Sequence, residues 1–110
     1  MSRRLSYTNR SLADLDAACH WLTQPGAGPA ALRSLAAIRD SIRGLRQQPC
    51  LWPAGVHPGV RELPCDGGYR VLYEVLPDTG SSATAGYVRV LRVYGPGEDR
   101  SGFVRPDELP

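Results

Sequence analysis

The side chains in this sequence best suited to chemistry are its arginines. All 13 basic residues are arginine and none is lysine. A guanidinium presents a planar fork of donors that matches carboxylates and phosphates. It stays charged at any physiological pH, so it stabilises negative charge but cannot act as a base. Arg39, Arg43 and Arg46 recur at i, i+4 and i+7, the spacing of one helix face. Such a stripe suits an acidic partner. It is equally what a solvated helix end carries, where cations are favoured by the dipole. Arg70 lies in an alternating segment, among apolar neighbours on its more open face, and Arg92 lies in a second such segment. There an arginine is either packed along its stem or placed for a ligand. A net charge of +2 is too small to argue nucleic-acid binding by itself. The abundance of Ala, Gly, Pro and Arg also fits a GC-rich coding bias, which favours arginine over lysine without any functional cause.

Other chemistries find little support. Cys19, Cys50 and Cys65 are odd in number and have no metal-ligand spacing. They read as small apolar thiols in a reducing cytosol. His20 and His57 have no Cys or His partner at ligand spacing, so no zinc site and no cofactor are expected. Gly95-Pro96-Gly97 lacks the spacing and the Lys-Ser/Thr of a phosphate loop and reads as a chain stop. Trp21 and Trp52 read as core or interface residues.

The elements that must position these residues follow from length and periodicity. A chain of 110 residues builds one core. No stretch approaches the ~18 apolar residues of a membrane span. Arg3-Arg4 is followed by the polar stretch Leu5 to Asp16, without the apolar core of a secretory leader, so a cytoplasmic protein is expected. Arg3 to Tyr7 reads as a short strand. Ser11 reads as an N-cap with Asp14 closing a capping box, followed by a helix over 11–23. Gln24 to Pro29 is a breaker run. Leu35, Ile38, Ile42 and Leu45 then mark a second helix ending near Gln47. After an irregular stretch from Cys50 to Gly59 the period changes to two. Strands are predicted at Val60–Leu63, Tyr69–Leu76 and Tyr87–Tyr94, with Asp66-Gly67-Gly68 as a turn. Tyr69, Val71, Tyr73 and Val75 should face one way, and Arg70, Leu72, Glu74 and Leu76 the other. The order strand, helix, helix, three strands predicts an α+β fold, a helical hairpin on one face of a small antiparallel sheet whose other face stays partly open. One domain over 1–97 and a partly ordered polar tail over 98–110 are expected.

With these elements in place the sequence resembles a known family. The helical hairpin, then Val60-Arg61-Glu62-Leu63, then Tyr69-Arg70-Val71-Leu72-Tyr73-Glu74-Val75, then Val88-Arg89-Val90-Leu91-Arg92-Val93 is similar to the RelE/ParE superfamily, the toxins of bacterial type II toxin–antitoxin pairs (the plasmid stabilisation family). The resemblance spans about residues 3–100. It implies a β-α-α-β-β-β fold and a growth-inhibiting toxin neutralised by a cognate antitoxin. The toxin could stand as a homodimer or within a toxin–antitoxin hetero-oligomer.

The superfamily has two activities. RelE-like members cut ribosome-bound mRNA by aligning a ribose 2′-hydroxyl against its phosphate. That reaction needs a base, an acid and positive charge at the transition state. ParE-like members inhibit DNA gyrase and need no catalytic group. For an RNase the resemblance implies Arg70 as the phosphate-binding arginine, unless it pairs with Glu62 or Glu74, with Arg92 as a second basic position. Tyr94 stands where some relatives carry a histidine followed by tyrosine, and here the pair is Tyr94-Gly95. Arg100 lies near a basic segment, but Phe103 and Val104 replace its tyrosine. The lysine-rich segment of RelE has no counterpart. His57 and Glu62, near Arg61, are the base candidates. Arg61, Arg39, Arg43 and Arg46 are assigned to partner or RNA binding. A non-toxic interaction module on the same fold is the alternative reading.

Overall fold

Alternation along the third strand decides which side of the sheet the helices cover. In a computed structural model that describes residues 3–105, the chain runs β1 (Leu5–Tyr7), α1 (Asn9–Leu22), α2 (Gly28–Gly44), β2 (Arg61–Pro64), a 3-10 turn (Asp66–Gly68), β3 (Arg70–Leu76) and β4 (Tyr87–Tyr94). The strands form one sheet in the order β1-β4-β3-β2. β2, β3 and β4 pair antiparallel, whereas β1 pairs parallel to β4. The sheet is therefore mixed rather than wholly antiparallel. Parallel neighbours need a long crossover between them, and the helical hairpin is the first part of that connection.

Val71, Tyr73 and Val75 of β3 and Val88, Val90 and Val93 of β4 point to the helices. They form one core with Ala18 and Leu22 of α1 and with Leu35, Ile38, Ile42 and Leu45 of the α2 region. Ile38, Val71, Tyr73, Val88 and Val90 are wholly buried. At about 1.5–3 kcal/mol per buried large apolar side chain, this layer is the main stabilising term. Tyr73 is buried with its hydroxyl donating to the Pro49 carbonyl at 2.6 Å, which ties the chain after α2 to the middle of the sheet.

The opposite face is less open than its sequence predicts. Leu72, Leu91 and Tyr94 there meet Val60 from the loop before β2 and Phe103 from the segment after β4 in a second apolar cluster. The tail from Glu98 reads as polar, yet its single aromatic is buried against the sheet. Residues 106–110 of that tail lie outside the described residues.

Helix α1 starts two residues before the predicted cap. Thr8 is the N-cap, in extended backbone, and its Oγ1 accepts from the Ser11 amide at 3.0 Å. The Thr8 amide donates to the Val90 carbonyl at 3.0 Å and its hydroxyl to the Leu91 carbonyl at 2.9 Å. Pairing with β4 thus holds Thr8 extended and decides where the helix begins. Ser11 is buried inside the first turn, and its hydroxyl donates to the Thr8 carbonyl at 2.9 Å. Asp14 takes no part in a capping box. Helix α2 ends at Gly44, with Leu45–Gln47 in a turn, so Arg46 lies just beyond it.

Candidate functional site

The outer sheet face gathers Arg70, Arg92 and Arg100, and the strand positions of the first two explain how. Arg70 opens β3 opposite Tyr94 at the end of β4, and Leu72 lies opposite Arg92. One residue further along, the register shifts: Tyr73 pairs with Val90, so Leu91 is extra. This β-bulge turns both Leu91 and Arg92 outward, which plain alternation does not foresee. Arg70 therefore stands on the side away from the helices, as predicted. It is half-buried and forms no hydrogen bond or ion pair among the described residues. Neither Glu62 nor Glu74 pairs with it.

Arg92 is held on three sides. Its Nε lies 2.7 Å from Asp14 Oδ2, its Nη1 donates to the Tyr94 hydroxyl at 3.2 Å, and the guanidinium stands 4.5 Å over the Tyr94 ring. The Asp14 hydrogen bond raises the Arg92 pKa further above its ordinary value, although burial opposes it. Tyr94 is buried in the outer cluster.

Both buried glutamates of this face are engaged. Glu74 meets Arg89 at 3.2 Å and also pairs with Arg105. Glu62 meets Arg100 at 3.1 Å and accepts from the Val56 amide at 3.3 Å. The Glu62 carboxylate lies where a side chain at position 55 would stand, so Gly55 is the residue that admits it. His57 shares a 2.9 Å hydrogen bond between Nε2 and the Arg100 carbonyl and packs on Phe103 with ring centroids 4.8 Å apart. Sequence reasoning did not single out Glu74, Arg89 and Arg105 as members of this network. The opposite-sign Glu74 and Arg89 face each other across β3 and β4, a cross-strand signal available once register is known.

Arg61 lies apart, at the far edge of β2. It grips Asp78 with two bonds of 2.8 and 3.0 Å and donates to the carbonyls of Trp52 and Cys50. The hydrogen bond from Arg61 holds the Asp78 carboxyl below the usual carboxylate range, and the same bond raises Arg61. This arginine thereby fastens the irregular loop before β2 to the β3–β4 loop.

A second candidate surface lies between the helices. A groove of about 320 Å3 has Leu15, Ala18, Leu35, Ile38 and Ile42 along its floor, with Leu12, Arg39 and Arg43 among its lining. Leu12 is half exposed, while Arg39 and Arg43 are exposed at the rim. Tyr7 also lines it. Burial raises its hydroxyl pKa, against the opposing charges of Arg46 and Arg43. The structure thus brings Arg39, Arg43 and Arg46 to one side and Arg70, Arg92, Tyr94 and Arg100 to another. Among the described residues, no cluster of His, Cys, Asp and Glu is arranged to hold a metal ion, and no helix is long and apolar enough to cross a membrane.

Comparison with known proteins adds to this geometry. A family model described as the ParE toxin of the type II toxin–antitoxin system parDE matches residues 5–94. A solved structure described as the chromosomal ParDE toxin–antitoxin system from P. aeruginosa is similar with a TM-score of 0.63. It is 22% identical and aligns over 86% of this chain and 97% of that one. At that identity the likeness speaks for the fold alone. No curated protein matches.

Proposed function

The chain belongs to the ParE toxin family of type II toxin–antitoxin systems, and from that membership we propose that it inhibits growth by binding DNA gyrase, without cutting RNA, and is neutralised by a cognate antitoxin. The observation that carries the binding mode is the engagement of the base candidates. RNA cleavage needs a group free to take the 2′-hydroxyl proton and poised near neutral pH. On the outer face Glu62 is held by Arg100 and Glu74 by Arg89 and Arg105, while His57 has Nε2 on a backbone carbonyl and its ring packed on Phe103. The arginines that remain bind charge and take no proton.

The antitoxin has a fitting surface in the groove between α1 and α2. Its apolar floor would take the buried stripe of an amphipathic helix, and Arg39 and Arg43 at the rim favour acidic residues flanking that stripe. Such a segment would also cover the half-exposed Leu12.

Induced expression with and without the neighbouring gene tests the class. Growth arrest relieved only by the neighbour supports a toxin–antitoxin pair, and normal growth without the neighbour supports a harmless interaction module. Loss of negative supercoiling in purified gyrase reactions, with cellular message intact, supports gyrase as the target. A second reading is favoured by one observation, Arg70 beside Tyr94 on the outer face with no partner among the described residues. Under it, Arg70, Arg92, Tyr94 and Arg100 form a phosphate-binding RNase site. Cleavage of ribosome-bound message that is lost in Arg70→Ala would establish that reading and overturn the first.

A further inference from the structure

Helix α1 has a second uncovered side. Beside its groove-facing residues, and sharing Ala18 with them, a cavity of about 430 Å3 opens between α1 and the chain after β4, lined by Ala17, Trp21, Tyr69, Pro96 and Glu98 among others. Trp21 is 66% exposed, which places its indole outside the core and along the cavity. The Glu98 carboxylate is fixed in place, because its Oε1 accepts from the Gly95 amide at 2.6 Å. The edge of the Tyr69 ring lies beside the same glycine. No arginine or histidine forms a salt bridge with Glu98 among the described residues. The other carboxylate lining the cavity, Asp14, is already neutralised by Arg92. Arg92 also feels the Glu98 charge, but its hydrogen bonds go to Asp14 and the Tyr94 hydroxyl, so Glu98 leaves a net negative charge next to an aromatic wall. That charge adds to burial in raising the Tyr69 hydroxyl pKa.

We propose that this cavity receives an arginine side chain of a partner protein. Its guanidinium would stack on the Trp21 indole and meet the free oxygen of Glu98, with the methylene stem along Ala17 and Pro96. The match is one of charge and shape. A cation gains from the aromatic face and from the carboxylate together. A planar guanidinium satisfies both at once, whereas a compact ammonium cannot stack in the same way. A purely apolar occupant would strip water from Glu98 without pairing it, and an anion would be repelled. The proposal concerns a different side of α1 from the groove and does not rest on the gyrase or antitoxin readings.

The test is an NMR titration of the indole N–H resonances, with Trp21 assigned by the loss of its signal in Trp21→Phe. The probes are N-acetylarginine amide and its uncharged isostere N-acetylcitrulline amide. The Trp21 signal should move saturably with the arginine probe while that of Trp52 stays still, and the citrulline probe should bind roughly fivefold or more weakly. Glu98→Gln keeps an acceptor for the Gly95 amide, so it preserves the loop, and should weaken the arginine probe by a similar factor. A linear or absent Trp21 response overturns the site. Equal binding of the two probes, or undiminished binding by Glu98→Gln, overturns it as well.

Discussion

One carboxylate on α1 closes the free edge of β4: Asp14 Oδ2 lies 2.7 Å from Arg92 Nε and also accepts from the Val93 amide at 2.9 Å. β1 pairs with β4 only as far as Val90, so the amide of Val93 has no strand partner on that side. A buried amide without a partner is costly, and Asp14 supplies the missing acceptor while neutralising the arginine that the bulge turns outward.

Asp14→Ala should destabilise the fold by about 1–3 kcal/mol, because it takes the counter-ion from a half-buried guanidinium and the acceptor from an edge amide together. Near 100 residues, each kcal/mol lowers Tm by roughly 4–8 °C. Arg92→Met should cost less than Asp14→Ala, since the Val93 amide keeps its acceptor. Calorimetry on the two single variants and the double variant measures the coupling. Additive effects would show that the pair contributes nothing beyond its separate parts.

The two candidate caps of α1 give opposite expectations. If Thr8 caps the helix, Thr8→Ala loses both the Ser11 amide acceptor and the bond to the Leu91 carbonyl, for about 1–2 kcal/mol. Ser11→Ala removes only a donor to a carbonyl inside the first turn and should cost less. Urea midpoints of the two variants rank them, and a larger loss for Ser11→Ala would reverse the assignment.

The Arg61–Asp78 clasp makes an acid limb of the stability profile. The folded Asp78 pKa lies below its unfolded value of about 3.9, so the clasp stabilises fully above that value. Its contribution disappears as pH falls through the folded pKa. Asp78→Asn should lower stability at neutral pH and flatten the slope below about pH 4. The effect should be modest and salt-sensitive, since the carboxylate is partly exposed. Denaturant midpoints from pH 7 to pH 2 check both features, and an unchanged acid slope in the variant would show that other carboxylates govern it.

Cysteine reactivity should be uneven. Burial pushes the Cys65 thiol up to about 11, so it holds very little thiolate at pH 8. Iodoacetamide at that pH should modify Cys65 last in the folded protein and lose this order in denaturant. Peptide mass spectrometry over time reads the order directly, and early labelling of Cys65 would mean that its site opens readily.

Periodicity and composition by themselves determined the α+β class, the helical hairpin and the span of β4. They also placed Val71, Tyr73 and Val75 on the helix side and Arg70 on the other. These are local consequences of side-chain spacing, since a period of 3.6 or 2 commits one face of an element to burial whatever lies opposite. Only the tertiary structure decided where α1 begins, which way β1 runs, and what Asp14, Arg92 and Phe103 do. Each of these depends on a neighbour distant in sequence: Thr8 on β4, Arg92 on a bulge and on Asp14, Phe103 on Leu72 and Leu91. The chain can list its charges in order, but a carboxylate 78 residues from its guanidinium becomes a partner only once the strands have set their register.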